Sequence, residues 1–328
     1  MLRLIFGLLF PFTLSAQLKR FQFTENKMGS QFSIILYHTD SAEAVQFANE
    51  CFLLVDSLNN IFSDYTRTSE AARLTQQPQV VSDELMNMIL KSEDAWIKSG
   101  KTFDITIGAL TQLWRKSRSE KRFPSAAEVR KARRSTGFEK LIITADIKTV
   151  AFKHPGVRLD FGGIVKGHAA QRVIDYLKKR NILSALADAG GDIVVGNTPP
   201  GKSGWGVSIN MPENENELWD KNLELKNCAV ATSGDLYRFT IHKGKKYSHI
   251  IDPRTGYGVT SLRNVTVIAR DGVMADWLAT ACSILPVEKA LALARKENAD
   301  LFIATLKEET IVIHKTENFD NHFKKKEE

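Results

Sequence analysis

Leu141-Ile142-Ile143-Thr144, Thr149-Val150-Ala151-Phe152 and Val157-Arg158-Leu159-Asp160 follow one another closely, and Phe161-Gly162-Gly163-Ile164-Val165-Lys166-Gly167 turns from the last of them into a helix. Each of the first three is a short run rich in β-branched and large apolar residues, and each predicts a strand. From Ile164 to Lys179 the apolar residues Val165, Ala169, Val173 and Leu177 fall on one stripe, which predicts an amphipathic helix. Three strands followed by one helix break the alternation that a doubly wound parallel sheet needs. The fold class expected is therefore α+β, with mixed, largely antiparallel sheets and packed helices.

The flanking sequence agrees with that class. Gln31 to Tyr37 predicts a strand, and Asp40 with Glu43 forms a capping-box signature before Ala44, Ala48, Cys51, Val55 and Leu58 recur at helical spacing. Ser82 opens a second helix through Leu85, Ile89 and Trp96 that Gly100 stops, and Ser125 with Glu128 caps a short basic one. Downstream, strands are predicted at Ser184–Ala187, Ile193–Val195, Trp205–Ile209, Ala229–Thr232, Tyr237–Ile241 and Val265–Ala269. Helices at Asp276–Ile284 and Val287–Lys296 then precede two closing strands. With no internal repeat or long linker, residues 17–328 are expected to form one domain, which could be bilobed.

The chain of 328 residues has ordinary globular composition, 43% hydrophobic and 25% charged, so a sizeable core is expected. Met1-Leu2-Arg3, an apolar run from Leu4 to Phe12 and the small residues before Gln17 read as a signal peptide over residues 1–16. The run is too short to span a bilayer, and no later segment is long and apolar enough. Export to the periplasm or another extracytoplasmic space is expected, possible membrane association included. Cys51, Cys228 and Cys282 are far apart among apolar neighbours, with neither zinc spacing nor a disulfide framework, so buried thiols are expected, though one pair could still bridge. The net charge of +7 suits anionic ligands. The basic runs Arg115–Arg118, Lys121–Arg122, Arg130–Arg134 and Lys324–Lys326 read as solvated faces. Aromatics do not interleave with them as a stacking platform requires, so nucleic-acid binding is not expected.

One motif is misleading. Gly196-Asn197-Thr198-Pro199-Pro200-Gly201-Lys202-Ser203 matches the P-loop expression letter by letter, but Pro199 and Pro200 supply no N–H to a phosphate and a strand follows instead of a helix. It reads as a loop between strands.

Three other segments carry groups suited to an anionic, metal-bound ligand. In Asp160–Gly167 a carboxylate ends a strand, two glycines make the turn and Lys166 sits in the first helical turn, where it can pair with phosphate, or simply be solvated beside an N-capping Asp160. Asp276 and Thr280, four apart, share one helix face and can offer hard oxygen donors to Mg²⁺ or Ca²⁺, although Asp276 could also be the N-cap of its helix. Tyr247-Ser248-His249-Ile250-Ile251-Asp252-Pro253-Arg254-Thr255-Gly256 gathers polar groups around a turn, where Asp252 and Thr255 could also satisfy their own backbone. Tyr65, Phe103 and Asp104 add an aromatic that could stack on a ring, an apolar face and another carboxylate.

Taken together these segments resemble the ApbE family of flavin transferases, which move FMN from FAD onto a threonine or serine of an acceptor protein. The resemblance runs in order through Met28-Gly29-Ser30, Phe62-Ser63-Asp64-Tyr65, Phe103-Asp104-Ile105-Thr106, Leu159 to Gly167, Ala189-Gly190-Gly191-Asp192, Ala231-Thr232-Ser233-Gly234, His249 to Gly256, and Ala275-Asp276 with Thr280. It implies an ApbE-like α/β fold, extracytoplasmic location, FAD as donor and a divalent cation at the diphosphate. On matching positions it implies a metal held by Asp276, Thr280 and a backbone carbonyl near Gly163. The flavin dinucleotide would lie along Met28, Tyr65, Thr102, Phe103, Asp104, Asp160, Lys166, Ser233, His249 and Ile250. Ser30, Ile105, Ala189 and Gly258 depart from the family pattern and affect loop details.

The reaction implied is attack of an acceptor hydroxyl on the FMN-side phosphorus, with AMP leaving. Lys166 and the cation on Asp276 would offset developing charge, and His249 is the candidate base, with a structural bond inside its own turn as the alternative. The acceptor partner would be an extracytoplasmic redox protein. Two alternatives remain: hydrolysis of FAD to FMN and AMP, and a non-catalytic periplasmic flavin-binding protein.

Overall fold

The computed structural model describes residues 17–210, 218–234, 239–261, 263–307 and 310–324, with the side chains of 210, 218–221 and 307 left aside. The expected signal peptide, residues 1–16, lies outside the described residues, as does Tyr237. No helix among the described residues is long and apolar enough to cross a membrane.

Eight strands form one antiparallel sheet: β1 (Lys19–Lys27), β2 (Ser30–His38), β6 (Ala185–Asp188), β7 (Ile193–Val195), β10 (Cys228–Gly234), β13 (Arg263–Ala269), β14 (Asp300–Lys307) and β15 (Thr310–Lys315), in that spatial order. Alternation along the strands sends Val265, Val267, Leu301 and Ile303 into one core and Ile268, Phe302 and Ala304 into another on the opposite face. The first core is closed by α1 (Ser41–Phe62), α2 (Asp83–Lys98), α5 (Val165–Lys179), α6 (Gly272–Ile284) and α7 (Val287–Lys296). The second is closed by the hairpin of β8 (Trp205–Asn210) and β9 (Leu218–Leu225) through Trp205, Leu223 and Leu225, together with Phe319. Covered on both sides, every residue of β13 is buried. The small sheet of β3 (Gln79–Val80), β5 (Thr149–Phe152) and β4 (Leu141–Thr144) is also antiparallel. The α+β expectation holds.

A third cluster stands apart from both faces. It joins α3 (Gly108–Ser119), α4 (Ala126–Arg133) and the hairpin of β11 (Phe239–His242) and β12 (Lys245–Ser248) around Leu110, Trp114, Val129 and Ile251. Phe123 stacks on His242 with ring centres 3.9 Å apart, and Trp114 stacks on Tyr247 at 6.1 Å, a separation within the range over which aromatic pairs attract.

Local expectations hold where a cap or stripe carried them. Asp40 accepts from the N–H groups of Ala42 and Glu43, Ser82 caps α2, and Ser125 with Glu128 completes a reciprocal capping box on α4. The false P-loop is a loop between β7 and β8. Val157–Asp160 is not a strand: the Gly108 N–H donates to the Arg158 carbonyl at 3.1 Å and the Asp160 N–H to the Ile105 carbonyl at 2.7 Å, so the segment pairs with a loop. The helix expected from Asp276 begins four residues earlier, capped by Asp271, so Asp276 is interior to α6. β1, β3, α3, β9 and β12 are additional elements. All three cysteines are free thiols, Cys51 and Cys282 buried and Cys228 only half-buried.

Candidate active site

The first residues to consider sit where α5 crosses α6. These helices meet glycine on glycine, because a Cβ on Gly167 would overlap the Gly272 carbonyl, and only bare backbones fit so close. That approach brings Asp276, on the first turns of α6, to the N-terminus of α5, where its Oδ2 accepts from the Gly167 N–H at 3.0 Å. One turn later, Thr280 faces Gly163: a Cβ there would lie 2.7 Å from the Thr280 hydroxyl oxygen. The four-residue spacing thus presents a carboxylate and a hydroxyl to the turn that opens α5, as the helix period requires.

These residues line one wall of a cavity of about 1270 Å³, and every residue assigned from sequence to the dinucleotide or the metal lies on its surface. Met28 reaches it from the two-residue turn between β1 and β2, where Met28 and Gly29 both have positive φ, as a hairpin of that length favours. Tyr65 follows α1, and Thr102, Phe103 and Asp104 come from the loop before α3. Asp160, Gly163 and Lys166 lead into α5, Ser233 ends β10, and His249 with Ile250 follows β12. Asp276 and Thr280 complete the set.

Within the 247–256 segment the polar groups divide. Asp252 is consumed locally, with Oδ1 accepting from the Arg254 N–H and Nε and Oδ2 pairing with its Nη2 at 2.7 Å, while Thr255 accepts from the Tyr257 N–H. His249, Ile250 and Ile251 are the members that reach the cavity.

The electrostatics are those of an incompletely compensated acidic wall. Burial pushes Asp276 up to about 7 against the stabilising Gly167 N–H and the charge of Lys166. Burial, then the neighbouring Asp276, raises Asp192 well above the carboxylate range, and burial also raises Asp188. Lys166 is the cation whose charge reaches all three. Asp104, 7% exposed, is pushed up to about 6 by burial even though it accepts from the Thr106 N–H and hydroxyl at 2.8 and 2.6 Å.

The residues at the α5–α6 crossing fit a hard divalent cation. Among the described residues no three His, Cys, Asp or Glu side chains converge as a ligand group, so the donors would be one carboxylate, one hydroxyl and backbone oxygen, the mixed oxygen set such ions accept. The missing side chain at Gly163 lets the Thr280 hydroxyl come close to its backbone, and a carboxylate held up near 7 by burial is one that a cation would stabilise.

Three participants were not singled out from sequence as site residues. Arg115 was read as part of a solvated basic run, yet its guanidinium pairs with Asp64, bonds Asp160 at 3.0 Å and stacks over the Tyr65 ring at 4.0 Å. Tyr65 itself is 74% exposed, so one face of its ring is open to a ligand. Arg118 from the same run and Asp192 also line the cavity. A usable signal existed for the arginines: Ile107, Thr111, Trp114, Arg115 and Arg118 recur at helical spacing and all face the cavity.

Comparison with known proteins follows the same outline. The profile described as the ApbE family matches residues 28–303. Proteins named FAD:protein FMN transferase, from Klebsiella pneumoniae (strain 342) and Treponema pallidum (strain Nichols), are each 29% identical to the chain. The first alignment covers 87% of this chain and 89% of the relative, the second 86% and 83%. The crystal structure of the ApbE protein of Thermotoga maritima superposes with a TM-score of 0.85 at 25% identity, covering 94% of this chain and 100% of that one.

Proposed function

As this chain belongs to the ApbE family, we propose that it transfers FMN from FAD to a threonine or serine hydroxyl of an acceptor protein, releasing AMP. The observation that carries this reading is the Asp276 carboxylate held on the Gly167 N–H, with Thr280 against Gly163. It sets hard oxygen donors, a helix N-terminus and Lys166 at one end of a cavity whose other walls hold an open tyrosine ring and an imidazole. A diphosphate suits the first end and a ring system the second.

In this mechanism the α5 N-terminus and Lys166 hold the diphosphate of FAD, and the Tyr65 face, braced by Arg115, orients the flavin. A divalent cation, Mg²⁺ or in its place Ca²⁺, held by Asp276, Thr280 and backbone oxygen near Gly163, would supply charge neutralisation on the phosphate oxygens. His249 accepts the proton of the acceptor hydroxyl, whose oxygen forms a bond to the FMN-side phosphorus as the bond from that phosphorus to the AMP oxygen breaks. Lys166 offsets the charge that gathers on the departing AMP.

The leader-like residues 1–16 support export, so the acceptor would be an extracytoplasmic redox protein and the enzyme would work in the periplasm or against its membrane. The decisive experiment incubates the protein with FAD, Mg²⁺ and a candidate acceptor. Covalent flavin fluorescence on the acceptor, absent from Asp276→Ala, is the result expected. AMP release with a dark acceptor would establish hydrolysis in its place, and FAD binding without AMP under any cation would establish a flavin carrier.

A further inference from the structure

The net positive charge of this chain is concentrated in one lobe. Residues 108–134 and 239–259, which build α3, α4 and the β11–β12 hairpin with its following turn, contain thirteen Lys and Arg against three Asp and Glu, a net of +10. The whole chain carries +7, so everything else sums to −3. Such segregation has an electrostatic cost, since like charges on a small lobe repel, and the fold does little to neutralise it. Among the described residues no carboxylate pairs with Lys121, Arg130, Lys131, Arg134, Lys245 or Lys246.

The lobe is one packed unit. Phe123 stacks on His242, the Trp114 indole N–H donates to the Gly256 carbonyl at 2.9 Å, and Arg133 Nη1 donates to the Arg254 carbonyl at 2.8 Å, so α3, α4 and the hairpin present their basic residues from a common frame. Its inner side is catalytic-site wall, because Thr111, Trp114, Arg115 and Ile251 line the cavity. On its outer side Phe239 and Ile241 are 38% and 67% exposed among lysines. An apolar spot within a charged rim is the composition of a contact surface between proteins.

We propose that this lobe is the docking face for the acceptor protein, and that the acceptor meets it with an acidic surface. The proposal rests on the flavin-transfer reading, which requires a macromolecule to bring a hydroxyl to this cavity. Charge complementarity beside the entrance raises the encounter rate and orients the partner, and it does so more than it adds affinity. A protein is favoured over an anionic bilayer because the flavin-transfer reading already requires a protein to reach the cavity this lobe lines.

The test uses full-length mature protein, FAD, Mg²⁺ and the extracytoplasmic protein fraction, reading covalent flavin fluorescence after isoelectric focusing. Wild-type protein should label an acceptor that focuses at acidic pH, and the initial rate should fall about tenfold as salt rises from roughly 0.05 to 0.3 M, where the screening length shrinks to several ångströms. The variant Arg130→Glu/Lys131→Glu/Arg134→Glu/Lys245→Glu should lower that rate about tenfold or more with FAD affinity unchanged. Should charge reversal compromise folding, the same four positions as Gln keep the measurement open, with a smaller loss in the same direction. A neutral or basic acceptor, or an acidic one labelled equally fast by the variants, overturns the proposal. So does salt-sensitive binding of wild-type protein to phosphatidylglycerol vesicles that stops labelling, which would make the lobe a membrane face. No labelled protein at all with wild-type enzyme would instead defeat the flavin-transfer reading, and this proposal with it.

Discussion

Gly167 and Gly272 hold α5 and α6 in backbone contact, and that contact is what delivers Asp276 to the Gly167 N–H. Any side chain at either position would force the helices apart and withdraw the carboxylate from the α5 N-terminus. Asp276, Thr280 and the α5 N-terminus are thus fixed relative to each other by the fold itself, the kind of preorganisation that electrostatic catalysis draws on.

Gly163→Ala isolates the neighbouring contact. Its new methyl would fall 2.7 Å from the Thr280 hydroxyl oxygen, so the threonine must rotate away while the rest of the fold has little cause to move. Flavin transfer at saturating FAD should drop at least about tenfold. Thermal denaturation should stay near wild type, and a higher cation requirement should distinguish this loss from a general one.

Asp276→Asn should separate stability from activity. An amide keeps an acceptor for the Gly167 N–H and removes a buried charge whose pKa burial raises to about 7, so the cation-free variant should be more heat-stable than wild type above neutral pH. Transfer should fall about a hundredfold or more, as expected when a carboxylate ligand is lost. Added Mg²⁺ should raise the melting temperature of wild type and leave the variant unmoved.

Asp104 makes stability depend on pH. Its folded value of about 6 lies above the ordinary 3.8, so the unfolded chain releases this proton first as pH rises. Its contribution is full below about pH 4, is lost between roughly 4 and 6, and costs up to about 3 kcal/mol above that. Asp104→Asn, which can still accept from Thr106, should flatten the denaturation midpoint across that window.

Arg115→Ala leaves Asp64 and Asp160 facing each other without their shared cation, burial and then the Asp160 charge already raising Asp64. The guanidinium side chain is 26% exposed. The loss should therefore be about 2–3 kcal/mol, short of that for a fully buried pair. FAD should bind more weakly as Tyr65 loses its brace. Arg115→Lys should rescue little, because an ammonium can neither fork to two carboxylates nor stack flat on the ring.

The site was legible in sequence wherever local chemistry forced it. Asp276 and Thr280 share a face at any four-residue helical spacing, and the paired glycines before α5 announce a close backbone approach. The fold class was legible from the order of strands and helices. What stayed hidden depended on tertiary partners. Val157–Asp160 has the composition of a strand, yet its hydrogen bonds go to the 105–108 loop. Arg115 looks like any residue of a basic run until Asp64 and Asp160, distant in sequence, close on it. α3 lacks a side-chain N-cap, so nothing local marks its start.

The Trp114 indole and the Gly256 carbonyl are 142 residues apart in the chain. Together with the stacking of Trp114 on Tyr247, that tether anchors the turn just beyond His249 to α3, so the imidazole reaches the cavity only when the later part of the polypeptide has come home to the earlier. Loop closures of such length are slow to form. The wall that carries Trp114 and Arg115 and the segment that carries His249 therefore meet only in the completed fold.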